Sequence, residues 1–175
     1  MQLGLGRNEV RLVPHHYTWN EAFDKVKRDL INQTSLEEHQ IEHIGSTAIK
    51  GIQAKPIIDS LVGIQSIEGD ISLLEKELRS CGFYRLHVER PGEIVFARFT
   101  DKTFTVKTHY IHLTTMNGDL WNELLFFRNY LNAHSSSREE YESIKVYYAQ
   151  KYKDDIEKYT DAKQDFVKSI LSKRS

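Results

Sequence analysis

Glu42-His43-Ile44-Gly45-Ser46-Thr47-Ala48, followed by Ala54-Lys55-Pro56-Ile57-Ile58-Asp59, is the stretch that decides the fold. Ile41–Ile44 reads as a short strand running into Gly45-Ser46. Ile57–Ile64 reads as a second strand, apolar on both faces apart from Asp59 and Ser60, as a strand near a sheet centre is. Twelve residues separate Ser46 from Asp59. The design suits phosphate. Glycine lets the backbone approach an anion, and exposed N–H groups with the Ser46 and Thr47 hydroxyls can donate to its oxygens. A carboxylate on the neighbouring strand can hold the Mg²⁺ that accompanies a nucleotide triphosphate. A bare Gly-Ser is an ordinary turn; Gly-Ser with an Asp at this distance on the next strand is far more specific.

Outward from this centre the chain alternates strand and helix signals. Val10–Val13 reads as a strand ended by Pro14. Trp19–Gln33 reads as a helix whose Trp19, Ala22, Phe23, Val26 and Leu30 form one apolar stripe. Ile71–Cys81 is a helix stopped by Gly82. Phe83–Leu86, Ile94–Phe99 and Phe104–Leu113 read as strands joined by turns at Arg90-Pro91-Gly92 and Thr100-Asp101-Lys102, which implies antiparallel hairpins. The remainder is helical: about Asp119–Asn132, then Ser137–Lys153 with a capping box at Ser137-x-x-Glu140, then a last helix ending near Ser172.

The chain resembles the GrpB-like family of nucleotidyltransferase-fold proteins in the string "EHIGSTA…G…AKPIID". The resemblance continues at Trp19 and Phe23, Thr108-His109, His112, Phe127-Arg128-x-x-Leu131, Tyr141-x-x-x-Lys145 and Tyr159-x-x-x-Lys163, from about Val10 to Leu171. It implies an α+β fold: a nucleotidyltransferase-like mixed, mostly antiparallel sheet with a C-terminal helical layer. It also implies metal-dependent transfer of a nucleotidyl or phosphoryl group to an acceptor. Relatives fused to dephospho-coenzyme A kinase imply a link to coenzyme A metabolism. The chain departs from active nucleotidyltransferases, which carry paired carboxylates two residues apart on the second strand. Here the positions flanking Asp59 are Ile57 and Leu61. That departure favours the alternative, a binding module that keeps the nucleotide or phosphorylated-ligand pocket without the chemistry. Glu42 or Glu93 would have to supply a second carboxylate near Asp59.

Eight histidines make metal ligation worth weighing. His109 and His112 are three apart on a strand and so face opposite ways. His43, just before the turn, is the best acid/base candidate, with Asp59; His112 with Asp59 is the candidate metal pair, for Mg²⁺ or Mn²⁺. A third reading is metal-assisted hydrolysis through His43, Asp59 and His112. Each histidine can equally be a hydrogen-bonded structural group.

The C-terminal helices add a separate clue. Arg128 falls amid Leu124, Leu125, Phe127 and Leu131; Lys145 between Tyr141, Tyr148 and Ala149; Lys163 among Tyr159, Phe166 and Ile170. A buried cation needs an anion. Each has a private ion pair or a snorkelling stem as its ordinary explanation. Three in succession predict a shared anionic site with Gly45, Ser46, Thr47 and Lys55.

Composition bounds the rest. The 175 residues fit one domain, 1–175, with 24 basic and 25 acidic side chains and a net charge of −1. This is no nucleic-acid footprint, and the expected partner is a nucleotide or small phosphorylated ligand. No apolar run approaches the ~20 residues of a membrane span, and the start, MQLGLGRNEV, does not read as a signal peptide. The lone Cys81 fits a reducing, cytoplasmic setting. Oligomeric state leaves no signal in the sequence.

Overall fold

The structure, a computed structural model, describes residues 1–100 and 102–175. The turn expected at Thr100-Asp101-Lys102 falls on Asp101, outside the described residues. Five strands form one sheet: β1 (Ile41–Ile44), β2 (Ile58–Ile64), β3 (Phe83–Arg85), β4 (Glu93–Phe99) and β5 (Lys107–Thr115). Their order is β1-β2-β5-β4-β3, with β2 and β5 parallel and every other pair antiparallel. Among the described residues six α-helices accompany them: α1 (Thr18–Gln33), α2 (Ser72–Ser80), α3 (Asp119–Ala133), α4 (Ser135–Lys151), α5 (Ile156–Ala162) and α6 (Gln164–Leu171). The architecture is α+β, mixed and mostly antiparallel, as the sequence predicts.

Alternation along the strands separates two faces. Ile41 of β1, Ile58 and Val62 of β2 and Ile111 and Leu113 of β5 pack under α1 and α2. Helix α1 contributes Trp19, Phe23, Val26 and Leu30, the expected stripe. Each such side chain stabilises the fold by about 1.5–3 kcal/mol when fully buried. The other face carries Ile44 and Leu61, covered by Trp121 of α3. Trp121 lies so close to β2 that a Cβ at Gly63 would come 2.7 Å from its ring. Leu131, Tyr141, Phe166 and Ile170 of the C-terminal helices close over Ile49 and Ile52 of the β1–β2 connection. Helices thus clamp that connection from outside, and this positions the site.

Four local expectations are corrected. Val10–Val13 is not a strand: only Val13 bridges, to Ala54, while the Val10 N–H donates to the Lys153 carbonyl. Strand β5 begins at Lys107 because Phe104 takes φ +56, a left-handed conformation that strands exclude. Helix α4 starts at Ser135, only one residue after α3, so Ser137 lies inside its first turn and no side chain caps the helix. The last helix is two helices, α5 and α6, meeting at Lys163.

Candidate functional site

Strand β1 ends at Ile44, which pairs with Asp59 across the ladder. Gly45 then takes φ +73 and ψ −176, and a 3-10 turn carries Ser46-Thr47-Ala48. A Cβ at Gly45 would strike Oδ2 of Asp59, so the turn can lie over the carboxylate only because the residue is glycine. Ser46 and Asp59 line one cavity of about 150 Å³. Gly45, Thr47, Lys55 and Lys163 share its wall, with Tyr110, Tyr141 and Tyr159.

Asp59 does not stand alone. Tyr110 lies opposite it on β5, and two residues on, His112 projects from the same face. His112 Nε2 is 3.2 Å from Asp59 Oδ1, and its Nδ1 is 2.8 Å from Glu93 Oε2. Burial by itself would lower the imidazole pKa. The hydrogen bonds to the two carboxylates and their charges outweigh it and raise the value to about 9. The protonated ring donates from both nitrogens. Glu93 is disfavoured as an anion by burial, but its hydrogen bond to His112 and that ring's charge hold its carboxyl below the ordinary range.

This arrangement bears on the expected Asp59–His112 metal pair. A protonated imidazole with both nitrogens on carboxylates has no lone pair to give a cation. Glu93, the other carboxylate on His112, sits beyond that imidazolium from Asp59. Among the described residues no group of three or more His, Cys, Asp and Glu is arranged to hold a metal ion. These residues do not fit a two-metal carboxylate clamp.

His109 faces the other way, edge-on to Phe83 at 6.5 Å. His43 also belongs to that side. It stacks on Phe23 of α1, ring centroids 4.6 Å apart, and its Nε2 lies 3.0 Å from the Thr47 hydroxyl. Burial pushes its pKa down to about 4, so it is neutral near pH 7. The expected acid/base residue is therefore behind the cavity wall and touches the cavity only through Thr47.

The three inward cations separate. Arg128 Nη1 donates to Glu42 Oε2 at 2.7 Å and to the His43 carbonyl at 2.8 Å. It does not line the cavity, and its inward position has the private-pair explanation. Arg128→Met is expected to destabilise the unliganded protein by about 2 kcal/mol, below the ~3–5 of a fully buried pair because Glu42 is 36% exposed. Denaturant unfolding checks this, and an unchanged or raised midpoint would contradict it. Lys145 is 1% exposed. Its ammonium donates to the Gln53 carbonyl and lies 4.9 Å from the centre of the Tyr141 ring. Burial depresses its pKa to about 7. Lys163 reaches the cavity directly, 4.2 Å over the Tyr159 ring, and Lys55 approaches the same ring at 5.8 Å. Burial first, then the neighbouring Lys55 and Lys145, lowers the Lys163 pKa well below the lysine range. Among the described residues none of these three lysines forms an ion pair. Of the four cations expected at the anionic site, Lys55 and Lys163 line the cavity, Lys145 lies behind the Tyr141 ring, and Arg128 drops out.

The tyrosines went unread as site residues. The signal was present: Tyr141-x-x-x-Lys145 and Tyr159-x-x-x-Lys163 carry the four-residue spacing that sets a lysine against a ring one turn away. Burial raises all three phenols, Tyr110 to about 12, while a hydrogen bond with Ser46 partly offsets the rise at Tyr141. They remain protonated hydroxyl donors.

Residues 9–173 match the GrpB protein family. The chain belongs to that family. It is 44% identical to the glutamate-rich protein GrpB of Alkalihalophilus pseudofirmus over 171 residues, 97% of this chain and 98% of that protein. The dephospho-CoA kinase of Mycobacterium bovis is 25% identical over 185 residues, which cover 93% of this chain but only 45% of the kinase. The family's fold is also seen in the crystal structure of GrpB from Enterococcus faecalis, with a TM-score of 0.78, 29% identity, and 93% and 95% of the two chains covered. A poly(U) polymerase solved with Mg 3′-dATP bound superposes with a TM-score of 0.51 at 15% identity, over 79% of this chain and 43% of the polymerase. That likeness is one of fold, and the fold is nucleotidyltransferase-like.

Proposed function

We propose that this member of the GrpB family is a binding protein for a nucleotide or other small phosphorylated ligand, held between the Gly45-Ser46-Thr47 turn and the C-terminal helices. One observation carries the reading: Lys55 and Lys163 face a cavity lined by hydroxyls, and neither forms an ion pair among the described residues. An anion from outside completes such a site. Ser46, Thr47 and the tyrosines offer hydroxyl donors around it. The composition supports a small-molecule rather than a nucleic-acid partner, and the lone buried Cys81 supports a reducing, cytoplasmic setting. No helix among the described residues is long and apolar enough to cross a membrane.

Metal-dependent nucleotidyl or phosphoryl transfer is the second reading. It is favoured by the opening of Asp59 onto the cavity beside Ser46 in a nucleotidyltransferase-like fold. It requires Asp59 to leave His112 for a Mg²⁺ or Mn²⁺ ion, so the binding reading is preferred. A thermal-shift screen separates them. Nucleotides, coenzyme A and dephospho-coenzyme A are tested with and without Mg²⁺ and Mn²⁺; the kinase relative motivates the last two. A ligand at 100 times its dissociation constant is expected to add about 2.7 kcal/mol of stability. Stabilisation without metal supports binding. Turnover of a nucleoside triphosphate that depends on metal and is lost in Asp59→Asn would replace this reading with the transferase.

A further inference from the structure

The charged groups around the cavity fall into pairs, and two are left over. Asp59 and Glu93 share His112, at 3.2 and 2.8 Å, and Arg90 lies 3.4 Å from Glu93. Two carboxylates thus meet two cations. Lys145, behind the Tyr141 ring, has Glu142 as its attracting carboxylate, three residues along α4. Lys55 and Lys163 have no carboxylate of their own: the charge that attracts both is Asp59, already engaged by His112, and both lean on the Tyr159 ring, at 5.8 and 4.2 Å, and line the cavity. The site thus presents two lysines without a private ion pair; burial disfavours their charge while the cavity is empty, and an entering anion favours it.

We propose that the cavity holds the terminal phosphate of a phosphomonoester, bound as a dianion and without a metal ion. This rests on the phosphorylated-ligand reading and narrows it to one charge class. A phosphodiester carries one negative charge and leaves a lysine unmatched. A monoester carries nearly two at neutral pH, because its second pKa is near 6. Size agrees. The cavity, about 150 Å³, is smaller than pockets that engulf whole ligands, which run to about 300–1,000 Å³, and a phosphoryl group is the part of such a ligand that matches it. The phosphate therefore sits inside and the rest of the ligand outside. A metal has no part here, because Asp59 is committed to His112 and the lysines already match the dianion.

The test uses calorimetry and thermal shift with the full chain near neutral pH, in phosphate-free buffer with EDTA. Inorganic phosphate, methyl phosphate and dimethyl phosphate are compared at equal concentration. Inorganic phosphate and methyl phosphate are expected to bind roughly tenfold or more tightly than dimethyl phosphate. Lys163→Met and, independently, Lys55→Met are expected to lose that binding while keeping an unliganded melting temperature no lower than that of the parent. Arg128→Met, once shown to be folded, is expected to keep it. Equal binding of dimethyl phosphate overturns the proposal, as does binding of methyl phosphate only when Mg²⁺ is added. If a nucleoside triphosphate with Mg²⁺ binds and methyl phosphate does not, this inference fails and the binding function stands. If no phosphorylated probe binds, both fail.

Discussion

His112→Gln is expected to cost about 3 kcal/mol of stability at pH 6 and progressively less as the pH rises, until the two proteins converge above pH 9. The size comes from the rise of the His112 pKa from the ordinary 6.5 to about 9 on folding. The folded-state value is the higher of the two, so the contribution is fully present below pH 6.5. It is lost as pH climbs through 9. The cause is the pair of carboxylates on the ring: Asp59 at 3.2 Å and Glu93 at 2.8 Å both prefer an imidazolium. Glutamine can hydrogen-bond one of them but neutralises neither, and Asp59 and Glu93 then repel each other. Lysines whose pKa values folding lowers, Lys145 to about 7, push stability the opposite way over the same range. The quantity to measure is therefore the difference between the parent and the variant, from denaturant unfolding at several pH values. A difference independent of pH would mean that His112 is not charged between the carboxylates.

Gly45→Ala is expected to do comparable or greater damage, about 3 kcal/mol or more. Two costs act together. The backbone at φ +73 and ψ −176 is a conformation that residues with a Cβ avoid, at about 1–3 kcal/mol. The new methyl would also strike the Asp59 carboxylate, displacing it from His112 or deforming the turn that carries Ser46 and Thr47. Gly51 supplies the control. It too has a positive φ, +77, but a Cβ there meets nothing within 4 Å. Gly51→Ala is thus expected to show the backbone cost alone, about 1 kcal/mol. Similar losses at the two glycines would remove the argument that Gly45 is there to admit Asp59. The site readout is equally direct: Gly45→Ala is expected to lose phosphate binding even where it remains folded, and Gly51→Ala to keep it.

The sequence by itself determined the features that depend on neighbours along the chain. The stripe Trp19, Phe23, Val26, Leu30 specified α1 and the face it buries, because a helix brings those positions together whatever else the protein does. Alternation put His109 and His112 on opposite faces, a matter of parity along one strand, while the β2–β5 register made His112 the one on the Asp59 side. The Gly45-Ser46 turn and Asp59 met at one cavity because β1 and β2 are consecutive and pair directly. Where the local signal was weak, as at Val10–Val13 or across Lys163, the expectation failed, because packing there outweighs periodicity. What only the tertiary structure decided is the fate of each charge. A helical wheel could turn Arg128, Lys145 and Lys163 inward, but it could not say what each would meet. Arg128 met Glu42, 86 residues away, because α3 docks on β1. His112 acquired two carboxylates because β5 lies between β2 and β4 in the sheet. His43 was drawn to the Phe23 ring and out of the cavity by the same docking that buries α1. A charge needs a partner at a few ångströms, and that partner is chosen by strand order and helix docking. Lys55 and Lys163 were left facing the cavity by those long-range contacts, and no spacing along the chain encodes that outcome.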